Sequence, residues 1–147
     1  MIKESLKKVF LRDLNKLKAE IGLYKNESDI WKRDKEIKNS GGNLTLHLVG
    51  NLKYYIGKIL GETDYKRDRE SEFTTKNIPE AELLKLVEET INIVNNTLSS
   101  LPEEKYAELY PEDFLNDPAS TDFVLIHLAA HLNYHLGQIN YHRRLLA

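Results

Sequence analysis

The sequence predicts an all-α domain, a four-helix bundle with long loops after the first, second and third helices. Three observations carry this. Apolar residues recur three and four apart in four separate stretches. Segments rich in Gly, Pro, Ser and Asn divide those stretches. No run alternates apolar and polar as a half-buried strand would. At 147 residues the chain is expected to form one domain over 1–147, long enough to bury a core.

The first helix spans residues 5–23, where Leu6, Val9, Phe10, Leu14, Leu17 and Ile21 make an apolar stripe between Lys and Glu. The period is lost over 24–42. There Trp31 is expected to pack across the bundle, and Asn39-Ser40-Gly41-Gly42 breaks the chain. Asn43 is the expected cap of the second helix, which runs to Leu60 and stops at Gly61. Gly50 and Gly57 lie inside it; both weaken a helix, so they mark close packing. Asp64 to Phe73 is charged and aperiodic, and reads as a solvated loop. Ile78-Pro79 opens the third helix, with Glu80 and Glu82 suiting its dipole. Leu83, Leu84, Leu86, Val87, Ile91, Val94 and Leu98 give its buried stripe, and Ser99-Ser100-Leu101-Pro102 ends it. Residues 103–118 form an irregular connection with one short turn. Ser120 or Thr121 caps the last helix.

That last helix carries four of the five histidines. At about 100° per residue, with His127 at zero, His131 falls near 40°, His135 near 80°, Gln138 near 20° and His142 near 60°. Phe123, Tyr134, Tyr141 and Leu145 share this sector and read as core. Imidazoles within a core face need partners, because a buried unpaired polar group is costly. A divalent metal satisfies two of them together. His47, Asn51 and Tyr54 share one face of the second helix in a similar way. A second apolar stripe, Leu125, Leu128, Leu132, Leu136 and Ile139, faces elsewhere on the last helix. Leu48, Leu52, Ile56 and Ile59 are its counterpart on the second. Part of these stripes is expected to stay wet in a monomer, which predicts a homodimer through the second and fourth helices.

Composition limits the chemistry. Hydrophobic content is 41%, charged content 30% and net charge −2, which fits a globular chain without a positive field for nucleic acid. With no cysteine, disulfides, thiolate ligands and a cysteine nucleophile are excluded, so a metal must be held by nitrogen and oxygen. No apolar run approaches a membrane span, and the first residues lack a signal-peptide core, so a cytoplasmic location is the expectation.

HxxxH on a helix is a common zinc-ligand spacing. No Glu follows the first histidine of either overlapping pair, so the metalloprotease motif is absent. His127 reads as a core histidine bonded to a backbone or tyrosine oxygen. His142, beside Arg143-Arg144, reads as a surface residue. His131 and His135 read as ligands once His47 is considered with them.

The residues His47-Leu48-Val49-Gly50-Asn51-Leu52 and, much later, His131-x-x-x-His135-x-Gly137-Gln138 resemble the pattern of the DinB-like superfamily of metal-binding four-helix bundles. That superfamily includes bacillithiol and mycothiol transferase folds. Arg67 to Phe73 also resembles one of its branches. The resemblance runs from about residue 5 to the end. It implies His47, His131 and His135 as a metal triad, with Gln138 and Asn51 behind the ligands or lining the pocket. It further implies zinc or nickel as the ion. Three protein ligands leave an open position, the catalytic type of site. The expected function is metal-dependent transfer of a small thiol to an electrophilic small molecule. Gln138 and Asn51 would orient substrate or water, and Tyr54 or Tyr134 would supply a proton or simply pack. No acidic residue is reliably placed on the metal face as a general base. The alternative is a non-catalytic, dimeric stress or accessory protein whose metal stabilises the bundle.

Overall fold

The computed structural model describes residues 1–146. Five α-helices form: α1 (Ile2–Gly22), α2 (Gly41–Leu52), α3 (Arg69–Thr74), α4 (Glu80–Ser100) and α5 (Thr121–Leu146). Short 3₁₀ turns occupy Glu27–Trp31 and Glu103–Tyr106. Among the described residues there is no strand, only isolated bridges in the connection before α5. No described helix is long and apolar enough to cross a membrane.

The four longest helices pack in pairs. α1 lies against α4 and α5, and α2 lies against the same two. Of the predicted stripe of α1, Leu6, Phe10, Leu14, Leu17 and Ile21 are buried and Val9 is half-buried. Of that of α4, Leu83, Val87, Ile91, Val94 and Leu98 are buried, while Leu84 and Leu86 are only half-buried. α2 does not end at Leu52. It widens into a π-helical turn over Lys53–Lys58, where Ile59 N–H donates to the Tyr54 carbonyl at 3.0 Å and Gly61 N–H to that of Ile56 at 2.9 Å. Gly57 lets this turn approach α4; a Cβ there would stand 2.9 Å from Ile93 Cγ2. Trp31 is buried, as expected, and its ring lies over Gly42, where a Cβ would fall 2.6 Å from Cε3.

The inward face of α5 differs from the expectation. Phe123, Tyr134, Tyr141 and Leu145 are all exposed, Leu145 by 72%. The core is built instead from Leu125, Leu128, Leu132, Leu136 and Ile139, together with Leu48, Leu52 and Ile56. Five branched aliphatic side chains bury more apolar area at lower polar cost than a sector shared with imidazoles and phenols. These stripes are buried within the single chain, except for Ile59, which stays half-buried.

Two local boundaries also shift. The cap of α2 is Ser40, whose Oγ accepts from Asn43 N–H at 3.1 Å; Asn43 lies inside the helix. The charged stretch after α2 is not wholly a solvated loop. Asp68 Oδ1 accepts from Ser71 N–H at 3.3 Å and starts α3, which carries a buried glutamate, Glu72.

Candidate metal centre

His47 projects from the middle of α2, and His131 and His135 from successive turns of α5. Their rings meet at the α2–α5 contact. His47 Nε2 lies 3.2 Å from His131 Nε2, and His135 Nε2 lies 3.1 Å from the same atom. The three ligand atoms fall within 4.8 Å of one another. The rings stand nearly perpendicular, at 79° for 47 against 131 and 89° for 131 against 135. His47 is buried; His131 and His135 are part-exposed, so the cluster has an open side.

What lies behind each ring fixes its protons. Glu72 Oε1 is 3.0 Å from His47 Nδ1, and Arg67 donates to both carboxylate oxygens, Nε to Oε2 at 2.9 Å and Nη2 to Oε1 at 3.0 Å. Burial pushes the Glu72 carboxyl up, but the hydrogen bonds and charges of His47 and Arg67 outweigh it and hold the group below the usual carboxylate range. An ionised carboxylate only accepts, so His47 Nδ1 carries the proton and Nε2 presents its lone pair. His135 Nδ1 donates to Gln138 Oε1 at 2.7 Å, which leaves its Nε2 free in the same sense. His131 Nδ1 is buried and has no partner. Burial, with the neighbouring histidines, lowers the His131 pKa to about 4; burial also lowers that of His135. Both rings are therefore neutral near pH 7, the form that ligates metal.

This donor set fits a divalent ion. As an N–H, His131 Nε2 can satisfy only one of the two lone pairs that face it. A cation accepts all three lone pairs at once. Zinc–nitrogen bonds of about 2.0–2.1 Å in tetrahedral geometry separate ligand nitrogens by about 3.3 Å. The observed 3.1 and 3.2 Å lie close to that.

The remaining sequence candidates are placed unevenly. Gln138 Oε1 accepts from His135 Nδ1. Asn51 is buried one turn beyond His47, and its Oδ1 has no protein partner. Tyr54 donates its hydroxyl to Glu112 at 3.1 Å, and burial followed by that carboxylate raises its pKa. Tyr134 is exposed, with its ring 5.3 Å from that of His135. His127 stays outside the cluster, edge-on to Phe114 with ring centroids 5.0 Å apart. His142 is not on the surface. It is buried, donates Nε2–H to the Lys32 carbonyl at 2.8 Å, and accepts the Tyr24 hydroxyl at Nδ1 at 2.6 Å. Its ring pins the end of α5 to the connection between α1 and α2, because two polar partners make an interior position favourable.

Glu72 and Arg67 are the residues that the helical pattern does not reveal. Local signals are the resemblance of Arg67 to Phe73 to one branch of the DinB-like superfamily, and Asp68 followed by Glu70, Ser71 and Glu72, an N-cap with an acidic first turn. Glu72 lies on the Nδ1 side of His47, away from the converging nitrogens, so it is not a base facing the open position.

Beside His135 opens a cavity of ≈ 550 Å³. Tyr134, Gln138 and Tyr141 of α5 line it, together with Ile37, Lys38 and Leu44. Its volume is that of a small-molecule pocket, with apolar and polar side chains both in its lining.

Comparison with curated proteins gives no match. A family model described as a protein of unknown function, DUF1572, matches residues 7–147. That match covers nearly all of the 147-residue chain, and the protein therefore belongs to the DUF1572 family.

Proposed function

We propose that this chain is a divalent-metal-dependent enzyme with a DinB-like four-helix bundle, and that it transfers a small thiol to an electrophilic substrate. The observation that carries the reading is the convergence of three imidazole nitrogens from α2 and α5 beside an open cavity. His47, His131 and His135 would hold zinc or nickel, which as a Lewis acid favours the thiolate form of a bound thiol. The chain has no cysteine, so the thiol must come from a cofactor or substrate.

The chain's own residues supply the rest. Gln138 orients His135 through Nδ1. Tyr134 and Tyr141 offer aromatic faces to an apolar substrate body, and Leu44 and Ile37 add apolar lining. The Asn51 side-chain carbonyl, buried and without a protein donor, is suited to accept from an enclosed water. Glu72 is committed to His47 and Arg67, which argues against a hydrolase that needs a free carboxylate on the metal face.

A second reading, a non-catalytic metal protein, is favoured by the separation of the ligands. His47 and His131 are 84 residues apart in sequence, so one ion would tie α2 to α5 and stabilise the fold directly. One set of measurements separates the two. The purified protein is analysed for bound metal, then incubated with small thiols and an electrophile. Enzyme function predicts turnover that His131→Ala abolishes while the helical fold persists. Loss of cooperative melting on metal removal, with no turnover on any thiol, supports the structural role. Full metal content in His47→Ala overturns the triad.

A further inference from the structure

We propose that Glu72, clamped by Arg67, is a positioning residue that fixes the tautomer and ring orientation of His47. This rests on the metal reading for its purpose, though its geometry stands by itself. Four features of the fold converge on it. Glu72 is almost fully buried, and its carboxylate accepts from His47 on one side and from both arms of Arg67 on the other. A buried carboxylate with only one of these partners would be costly. Gly50, one turn beyond His47 on α2, leaves the space that the carboxylate fills; a Cβ there would overlap Glu72 Oε2 and stand 2.6 Å from Cδ.

The short helix that carries Glu72 is also fastened to α2. Asn43 Nδ2 donates to the Glu72 carbonyl at 3.0 Å and to that of Thr75 at 2.7 Å, and Ser40 Oγ donates to Asn43 Oδ1 at 2.8 Å. Phe73 then covers the His47 ring, with centroids 5.0 Å apart. A carboxylate, a guanidinium and an aromatic ring thus reach His47 from one six-residue helix and the loop before it.

The three imidazoles consequently have unequal support. His47 is backed by a charged group, His135 by a neutral amide and His131 by nothing. A carboxylate behind a ligating imidazole raises its basicity and holds the correct nitrogen forward. His47 is therefore the anchor of the triad, and α3, which looks like a solvated loop in the sequence, belongs to the site.

The test uses the full chain labelled with ¹⁵N, with Co²⁺ as the metal probe. Long-range ¹H–¹⁵N correlation spectra of the metal-free protein read the His47 tautomer. Visible absorption titration reads Co²⁺ affinity and ligand field. In the unsubstituted chain His47 should carry its proton on Nδ1. Glu72→Ala should lose that preference, and its Co²⁺ affinity should fall by about 10–100-fold with altered visible bands. Glu72→Gln, nearly isosteric and still able to accept at one oxygen, should fall between the two. It also serves if the alanine variant does not fold. The proposal is overturned if the folded variants keep the Nδ1–H tautomer and bind Co²⁺ within twofold of the parent chain. If the parent chain takes up no Co²⁺, the metal reading fails and the tautomer comparison alone decides the role of Glu72.

Discussion

Gly50→Ala offers a sharp separation of stability from metal binding. The added methyl would overlap Glu72 Oε2 and approach Cδ to 2.6 Å. Those atoms are the far end of a flexible side chain, so the carboxylate can swing out rather than force α2 from α3. Replacing a mid-helix glycine with alanine favours the helix by about 1 kcal/mol. Against that, His47 Nδ1–H loses its acceptor and the buried Arg67–Glu72 ion pair is broken, together costing about 3–5 kcal/mol. The net change is a destabilisation of about 2–4 kcal/mol, within the typical stability of a domain of this size. Metal affinity responds differently, because His47 is no longer held. A fall of about 10–100-fold is expected, equivalent to about 1.4–2.8 kcal/mol of binding. Denaturant unfolding of the metal-free protein and Co²⁺ titration measure the two quantities separately. Unchanged affinity in the folded G50A protein would refute the claim that Glu72 acts through His47. A loss of stability beyond about 4 kcal/mol would show that the carboxylate cannot leave its slot.

Two further predictions concern the apo fold. His142→Phe removes both hydrogen bonds of a buried ring and strands the Tyr24 hydroxyl and the Lys32 carbonyl, so unfolding free energy should fall by about 2–4 kcal/mol. Metal stoichiometry should not change; a metal-deficient H142F protein that remains folded would place this histidine in the site after all. Acidification should destabilise the metal-free protein. The folded His131 pKa, about 4, lies below the ordinary 6.5, so between those values the unfolded chain binds the extra proton and stability falls as pH falls. At about 1.4 kcal/mol per pKa unit the full difference would be about 3 kcal/mol. The ring is part-exposed, and solvent screening reduces the expected loss to about 1–2 kcal/mol. The depressed Glu72 carboxyl adds a loss of the same sign at lower pH. Thermal melts from pH 7 to pH 4 measure this, and a flat melting temperature across that range would contradict it.

The sequence by itself determined what is local. Helical periodicity places the four long helices to within a few residues, because the 3.6-residue repeat is a property of each segment. Spacing alone sets His131 and His135 one turn apart on one face of α5. The pairing of His47 with them was suggested by resemblance, and the packing of α2 against α5 brings the three nitrogens together. Which sector of α5 turns inward was not legible. Aromatics and imidazoles mark one side and leucines another, and only competition between the two for the interior decides that Leu132 is buried and Tyr134 exposed. Glu72 and His142 were hidden for a related reason. A charged or titratable side chain reads as solvated until partners distant in sequence, Arg67 and His47 for one and Tyr24 and Lys32 for the other, make its burial favourable. Those partners exist only once the helices have packed.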